Sequence, residues 1–263
     1  MKPDRKKLLE RARNGEERAL FNRALDLGEA VLTSGVTQLT GFYDPYRAGL
    51  IISLSKALPG LAATPAGGYK GAERVCLALH PVGVEPLWTD YDFALIAIKG
   101  NFERAGVKYR DVQGALMGLG LKREKFGDIR LSDGEAQVVT TGDVAPYVAA
   151  NLNKVGRVRV VVEITTCEGL RPPEHPFKEI KATVSSLRLD SVAAACFSTS
   201  RSKIVRDIEA EQLSVNWQVC SDPATPVGEG DTISARGRGR AVVAGVKGPL
   251  KSGRMGVVIN KYV

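Results

Sequence analysis

Residues 185–243 constrain the fold of this chain more than any other stretch, because four elements can be predicted from their spacing. Ser185 and Ser186 can cap a first helix, whose apolar stripe is Leu189, Val192, Ala193, Cys196 and Phe197. Ser200 can cap a second helix, whose apolar stripe is Ile204, Val205 and Ile208. Apolar and polar residues alternate over 213–219, which predicts a strand, and residues 232–235 predict another. The stretch therefore predicts a small α+β domain.

Positive charge is concentrated in the same part of the chain. The net charge is +8, and residues 181–263 hold 12 Lys and Arg against 7 Asp and Glu. Basic residues outside the apolar stripes are Arg188, Arg201, Lys203, Arg206, Arg236, Arg238 and Arg240. Neutralisation of phosphates by Lys and Arg supplies most of the affinity of proteins for nucleic acids, so these residues are candidate RNA contacts. A solvated basic face is the alternative, and the charge alone does not decide between them.

Short motifs in this stretch resemble the alpha-L RNA-binding domain, first described in a small-subunit ribosomal protein. In order, they are Leu187-Arg188-Leu189-Asp190, Ser200-Arg201-Ser202, Val215-Asn216 and Gly230-Asp231-Thr232-Ile233-Ser234. In that domain two helices present Arg and Lys to folded RNA. Glu211 departs from the family pattern, which has a glycine that closes the second helix in the left-handed conformation.

The remainder of the chain resembles the YlmH-type proteins of bacteria, whose relatives include proteins labelled photosystem II RNA-binding proteins. Three blocks carry the resemblance, at residues 67–74 (GGYKGAER), 110–120 (RDVQGALMGLG) and 123–129 (REKFGDI). Tyr109 and Gln113 replace a His and a Leu of the family, so no role of that His is transferred. The resemblance covers nearly the whole chain and implies a protein of the same architecture.

Three domains are predicted, with α+β architecture overall. Residues 1–90 form a mainly helical α+β domain, with a helix over 16–32, a second helix that starts at Asp44-Pro45, and a strand over 72–79. Residues 91–170 form a ferredoxin-like plait, and residues 182–260 form the alpha-L domain. A Pro-rich segment at 172–176 is predicted as the linker.

The middle domain is predicted from its β-α-β-β-α-β order. In sequence, the elements are strand 93–98, helix 109–117, a hairpin of strands 128–131 and 135–140 around Asp133-Gly134, helix 144–152 and strand 157–165. The central strands lack the aromatic residues on which RNA-recognition plaits stack bases. Lys122, Arg123 and Lys125 are the RNA-contact candidates of this domain, and a purely structural loop is the alternative.

The sequence gives little support to a catalytic or a metal-binding function. The four cysteines form no CxxC pair and are expected to be free thiols, and the histidines His80 and His175 lack a nearby partner, so neither a metal nor a cofactor is expected. A pseudouridine synthase also carries an alpha-L domain, but the pairs Arg110-Asp111 and Arg206-Asp207 lie in predicted helices. The longest apolar run is too short to span a bilayer, so a cytoplasmic protein without a membrane partner is expected. The protein is also expected to be a monomer.

The sequence therefore predicts a non-enzymatic protein that binds structured RNA, either ribosomal RNA or tRNA. The YlmH-type resemblance further implies association with a large ribosomal subunit that carries an obstructed peptidyl-tRNA, in ribosome rescue and quality control. A factor linked to cell division or photosystem assembly is an alternative within the same class. An RNA-modifying enzyme of the pseudouridine synthase type is the alternative from another class.

Overall fold

The computed structural model describes residues 4–132, 134–168, 170, 177–250 and 253–262. Contacts between residues divide the chain into two compact units, Met1–Pro173 and Glu174–Val263. In the described part of the chain, no helix combines the length and the apolar character that a membrane span requires. The predicted linker at 172–176 and Asp133 of the predicted hairpin turn lie outside the described residues.

The first unit begins with helices packed on a three-stranded antiparallel sheet. The helices are α1 (Arg5–Leu9), α2 (Gly15–Ser34) and α3 (Pro45–Lys56), and the strands in spatial order are β1 (Gln38–Tyr43), β3 (Val75–Pro81) and β2 (Leu61–Ala66). The helix predicted over 16–32 is confirmed. The predicted start of the next helix is also confirmed, since the Asp44 carboxylate accepts a hydrogen bond from the Arg47 N–H at 2.9 Å.

The sequence pattern misses part of this sheet. The strand expected over 72–79 begins only at Val75, because residues 67–74 form a loop. Strands β1 and β2 are not predicted, since their sequences QLTGFY and LAATPA lack a clear apolar alternation. Their place in the sheet comes from pairing with β3 on both sides.

A second antiparallel sheet completes the first unit. Its strands in spatial order are β5 (Phe126–Ser132), β6 (Glu135–Thr141), β4 (Phe93–Lys99) and β9 (Val161–Thr165), with helices α4 (Phe102–Ala105), α5 (Tyr109–Met117) and α6 (Ala145–Asn151) between strands. The two main helices and four strands follow one another in the expected order. The last strand is shorter than the expected 157–165, because β7 (Lys154–Val155) and β8 (Val158–Arg159) pair separately.

The two sheets of the first unit are joined by a small apolar core. Phe42 on β1 and Cys76 on β3 belong to one buried cluster with Leu95 on β4 and Val139 on β6. The opposite face of the second sheet packs in a larger cluster with α5 and α6. Apolar packing therefore covers both faces of the central strands, in addition to their lack of aromatic side chains for stacking on RNA bases.

The second unit is a six-stranded antiparallel sheet that packs on two helices. The strands in spatial order are β10 (Phe177–Val184), β15 (Met255–Tyr262), β14 (Gly239–Pro249), β13 (Thr232–Ala235), β11 (Leu213–Val215) and β12 (Gln218–Val219), and the helices are α7 (Leu189–Cys196) and α8 (Arg201–Glu209). Both predicted helices and the strand at 232–235 are confirmed. Leu189, Ile204 and Ile208 from the predicted stripes are fully buried in the core.

The predicted cap of α7 is wrong. The helix begins after Arg188, so the pair Ser185-Ser186 lies too early in the chain to cap it. The Leu189 N–H donates to the Thr225 carbonyl at 2.8 Å, and the Asp190 N–H donates to the Pro223 carbonyl at 3.1 Å. A loop that is distant in sequence thus accepts hydrogen bonds from N–H groups at the start of this helix. The local sequence cannot indicate such a cap.

The strand predicted over 213–219 is also wrong, because the chain reverses within it. Val215 at the end of β11 pairs with Gln218 at the start of β12, and the two residues between them form a tight turn. Asn216 and Trp217 both have positive φ, at 50° and 64°. The alternating pattern identifies the strand residues correctly but does not reveal this hairpin.

Candidate nucleic-acid interface

The corner between α7 and α8 carries four of the basic residues predicted to contact RNA. Arg188 precedes α7, and Arg201, Lys203 and Arg206 lie on α8; all four side chains are exposed. Ser200 begins α8 as predicted, since its Oγ accepts a hydrogen bond from the Lys203 N–H at 3.3 Å. The helix corner, defined here by these four basic residues, therefore presents its charges to solvent.

A buried carboxylate, Asp190, holds two of these arginines. Its side chain is 3% exposed, and its Oδ2 accepts hydrogen bonds from Arg201 Nη2 at 2.7 Å, Arg201 Nε at 3.0 Å and Arg188 Nη2 at 3.3 Å. Burial raises the pKa of this carboxyl, but the hydrogen bonds from Arg201 and Arg188 outweigh burial and hold the pKa below its ordinary value. Sequence reasoning noted Asp190 only as part of a family motif, and not as the residue that positions this surface.

Both helices of the corner end in a left-handed residue other than glycine. Glu211 has a φ of 55°; its N–H donates to the Ile208 carbonyl at 2.8 Å, and the Gln212 N–H donates to the Asp207 carbonyl at 2.9 Å. These two hydrogen bonds form a Schellman motif, in which glycine is preferred. Ser198, with a φ of 50°, follows α7 in the same conformation. Glu211 thus adopts the conformation of the glycine that it replaces.

The three arginines at 236–240 have different surroundings. Arg236 is exposed in the turn between β13 and β14. Arg238 Nη2 donates to Asp207 Oδ2 at 2.6 Å and so ties this turn to α8. The guanidinium carbon of Arg240 lies 5.5 Å from the centroid of the Trp217 ring. The structure therefore gives Arg238 a structural contact and gives Arg240 an aromatic neighbour.

In the first unit, the candidate residues lie between α5 and β5. Lys122 and Lys125 are exposed and line a cleft of about 560 Å³ beside β1. Arg123 has a different environment, because its Nη1 donates to the carbonyls of Phe126 and Gly127. Two of the three candidates thus reach solvent, while the third shapes the loop.

The family blocks of the first unit meet at a second carboxylate, Asp128. Its Oδ2 accepts hydrogen bonds from the Tyr69 hydroxyl at 2.5 Å and the Glu73 N–H at 2.9 Å, and its Oδ1 accepts from the Arg74 N–H at 2.9 Å. Arg74 Nη2 donates to the Phe42 carbonyl on β1 at 2.6 Å. These contacts fasten the loop at 67–74 to both sheets, and we call them the Asp128 junction.

Burial and close packing mark the Asp128 junction as structural. Burial, followed by the positive charge of Arg123, lowers the pKa of Arg74 to about 10, so Arg74 is still protonated at neutral pH. Gly68 has a φ of 87°, and a Cβ there would lie 2.7 Å from Cγ1 of Val139. Only glycine fits this approach of the loop to β6. The sequence shows these blocks as a resemblance, but their mutual contact becomes visible only in the fold.

Two family models match this chain, one over the predicted middle domain and one over the predicted C-terminal domain. Residues 86–168 match the family model described as "Putative RNA-binding domain in YlmH", and residues 187–233 match the model described as "S4 domain". The second match confirms the predicted alpha-L RNA-binding domain. The solved structure "Cell division protein ylmH from Streptococcus pneumoniae" matches with a TM-score of 0.52 and 24% identity, over 59% of this chain and 94% of that chain, which is a likeness of fold.

A curated relative extends the match to nearly the whole chain. "Ribosome-associated protein quality control protein P2" of Bacillus subtilis (strain 168) is 34% identical over 246 residues, which cover 94% of this chain and 95% of that protein. The similarity therefore includes the N-terminal residues that neither family model covers. With this coverage and both domains in order, the chain belongs to the YlmH family of RNA-binding proteins.

Proposed function

We propose that this protein binds structured RNA of the ribosome and acts through binding alone. Its target is the large ribosomal subunit that carries an obstructed peptidyl-tRNA, and its binding supports the rescue of the stalled nascent chain. The observation that carries the proposal is the helix corner, where the buried Asp190 fixes Arg188 and Arg201 at the surface. The B. subtilis relative is named as a ribosome-associated protein quality control protein, which supports this choice of target.

Three groups of residues make the RNA contacts in this proposal. The helix corner binds phosphates of folded RNA, because guanidinium and ammonium groups neutralise them most effectively. The segment 236–240 is the second group, and Arg238 ties its turn to α8 through Asp207. Lys122 and Lys125 form a separate site on the first unit, and Arg123 supports their loop through its carbonyl contacts.

Binding without catalysis is favoured by the roles of the candidate catalytic residues. Asp111 accepts a hydrogen bond from the Lys108 N–H at 2.8 Å at the start of α5, and Asp207 pairs with Arg238. Both aspartates of the Arg-Asp pairs thus have structural partners. His80 is buried and contacts Thr64 Oγ1 at 2.9 Å, while His175 lies outside the described residues.

Co-sedimentation tests the proposed target. The full chain is mixed with purified large subunits, with and without peptidyl-tRNA, and centrifuged through a sucrose cushion. We expect the protein to pellet with the subunits, and more completely when peptidyl-tRNA is present. Equal recovery with small subunits, or none with large subunits, contradicts the proposal.

A tritium-release assay tests the enzymatic alternative. Ribosomal RNA and bulk tRNA that carry 5-tritiated uridine are incubated with the purified protein, because pseudouridine formation releases that tritium. We expect no release above a buffer control, with a known pseudouridine synthase as the positive control. Turnover by the purified protein would show that it is an enzyme.

A further inference from the structure

The turn between β11 and β12 places a tryptophan where the backbone favours glycine. In a two-residue hairpin turn with positive φ at both positions, Asn followed by Gly is the preferred sequence. Asn216 meets this preference, but Trp217 occupies the second position with a φ of 64°. A bulky side chain in the left-handed region is strained, and such strain is found where the residue has a function.

Hydrogen bonds to Asn216 fix this conformation. Its N–H donates to the Thr232 carbonyl at 2.9 Å, and its Oδ1 accepts from the Thr232 N–H at 2.9 Å. Its Nδ2 donates to Asp231 Oδ1 at 2.8 Å, and Asp231 Oδ2 accepts from the Gly228 N–H at 2.7 Å. Asn216 and its partners at residues 228–232 therefore hold the turn.

The indole of Trp217 does not contribute to the core of the second unit. Among the described residues, that core includes Val215 before the turn and Cys220 after it, but Trp217 is absent from it. The residue is partly exposed. Packing in this core therefore does not account for a tryptophan at a position with strained backbone.

The neighbour of the indole indicates what it binds. Arg240 lies with its guanidinium carbon 5.5 Å from the ring centroid, which is a cation–π contact. Arg240 points to the sheet face opposite the core, because the next residue, Ala241, is fully buried and side chains alternate along a strand. An indole beside a guanidinium on a basic domain matches the way that proteins stack unpaired nucleobases.

We propose that Trp217 stacks on an unpaired base of the bound RNA, with Arg240 holding the indole in place beside the phosphate backbone. This proposal rests on the proposed function, because it requires that the chain binds ribosomal RNA. It adds a feature to the target, namely an unpaired base next to the folded region that the helix corner contacts. A duplex without such a base lacks this contact.

Fluorescence can report the stacking directly. The chain has two tryptophans, so Trp88→Phe leaves Trp217 as the one indole of the full-length protein. We expect titration with deproteinised large-subunit ribosomal RNA to quench the emission of this variant, since a stacked base quenches an indole. Trp88→Phe should bind the RNA as the unmodified chain does. Saturated binding without any change in emission would overturn the proposal.

Substitution at the turn separates a binding role from a structural one. Trp217→Gly removes the indole and relieves the strained φ, so we expect unchanged or higher thermal stability with a ten- to hundredfold loss of RNA affinity, on the order of one stacked base. Trp217→Phe should retain affinity to within a few-fold. Loss of folding in Trp217→Gly, or affinity equal to that of the unmodified chain, would refute stacking.

The same titrations distinguish the two proposals. If the unmodified chain does not bind the ribosomal RNA, the proposed function fails and stacking fails with it. If the RNA binds and Trp217→Gly binds equally well, the stacking proposal alone fails.

Discussion

Asp190 is acidic, yet it supports the basic helix corner of the second unit. The carboxylate lowers the local positive charge by one, but it also fixes the guanidiniums of Arg188 and Arg201. The side chains of these two arginines are 44% and 51% exposed. A fixed guanidinium loses less side-chain entropy when it binds a phosphate than a mobile one does. We therefore interpret Asp190 as a positioning residue, since its side chain is too buried to contact RNA itself.

Substitution of Asp190 tests this interpretation. Asp190→Asn keeps the size of the side chain but removes the charge that binds Arg188 and Arg201. We expect the free energy of unfolding to fall by about 1–2 kcal/mol at pH 7, because buried hydrogen bonds to a charged group are lost while the arginines remain partly solvated. RNA affinity should also fall, despite the added positive charge. Tighter RNA binding by this variant would show that charge, and not position, governs the corner.

The pKa of Asp190 predicts how this contribution depends on pH. A carboxyl whose pKa is lowered in the folded state stabilises that state above its unfolded pKa, and the contribution disappears as the pH falls through the folded pKa. The stability difference between the unmodified chain and Asp190→Asn should therefore be constant from pH 7 to pH 5 and shrink below about pH 4. Thermal unfolding at each pH measures it, with the exposed Glu209→Gln as the control. A difference that persists undiminished at pH 2 contradicts the assignment.

Glu211 offers a stabilising substitution. Its left-handed backbone is unfavourable for a residue with a Cβ, so Glu211→Gly should raise the free energy of unfolding by about 0.5–1 kcal/mol. Ala210→Gly is the matched control, because residue 210 has a φ of −84° and gains nothing from glycine. Chemical denaturation compares the two variants. Equal effects of both substitutions would contradict the strain at Glu211.

At the level of helices and strands, periodicity predicts the elements whose pattern is strong and local. The stripe from Ile204 to Ile208 and the helix over 109–117 were predictable because one face of each repeats at 3.6 residues. The hairpin at Asn216 was not, since the alternation continues through the turn and a tryptophan in place of glycine hides the usual signal. The Asp128 junction and the role of Asp190 could not be predicted from the sequence, because each depends on residues that come together only in the folded chain.

The helix corner is an element whose charge can be tested as a whole. Replacement of Arg188, Arg201, Lys203 and Arg206 by Ala should weaken RNA binding in a protein that is still folded, although the buried Asp190 loses its two arginine partners and stability falls. With four phosphate contacts and a slope of about −0.7 per contact, the helix corner should account for roughly 50-fold of the affinity that the unmodified chain loses between about 50 and 200 mM salt. The quadruple variant should lose far less over the same range, as measured by filter binding.

A matched variant controls for charge in this test. Ala at the exposed residues Arg104, Lys108, Lys154 and Arg157 removes the same four charges from the first unit, outside the proposed contacts. We expect this control to keep most of the affinity and most of the salt dependence. If both quadruple variants behave alike, RNA binding depends on net charge and not on the helix corner.

For the molecule as a whole, selectivity in our proposal comes from joining two sites. A second unit of this size should bind many folded RNAs weakly, whereas linkage to the first unit can raise the apparent affinity by roughly 10²–10⁴. We expect residues 174–263 alone to bind ribosomal RNA fragments weakly, and only the full chain to co-sediment with large subunits. The fragment starts at 174, so that β10 remains intact. Equal co-sedimentation of the fragment contradicts a role for the first unit in binding.

Integrity of the first unit should depend on the Asp128 junction. Asp128→Ala removes the acceptor of three hydrogen bonds, so we expect the free energy of unfolding to fall by about 2–3 kcal/mol. The control is Asp143→Ala, an aspartate with a 66% exposed side chain. Urea denaturation of the full chain measures both variants, and an Asp128→Ala protein as stable as the control would contradict the role of the junction.

The apolar core between the two sheets of the first unit also limits how this part of the protein can evolve. A recombination event near residue 90 would separate Phe42 and Cys76 from Leu95 and Val139, and it would expose two apolar faces in the separated halves. Such halves would be prone to aggregation, so neither could be exchanged as an independent module. The two sheets are therefore expected to fold, and to be exchanged, only as one unit.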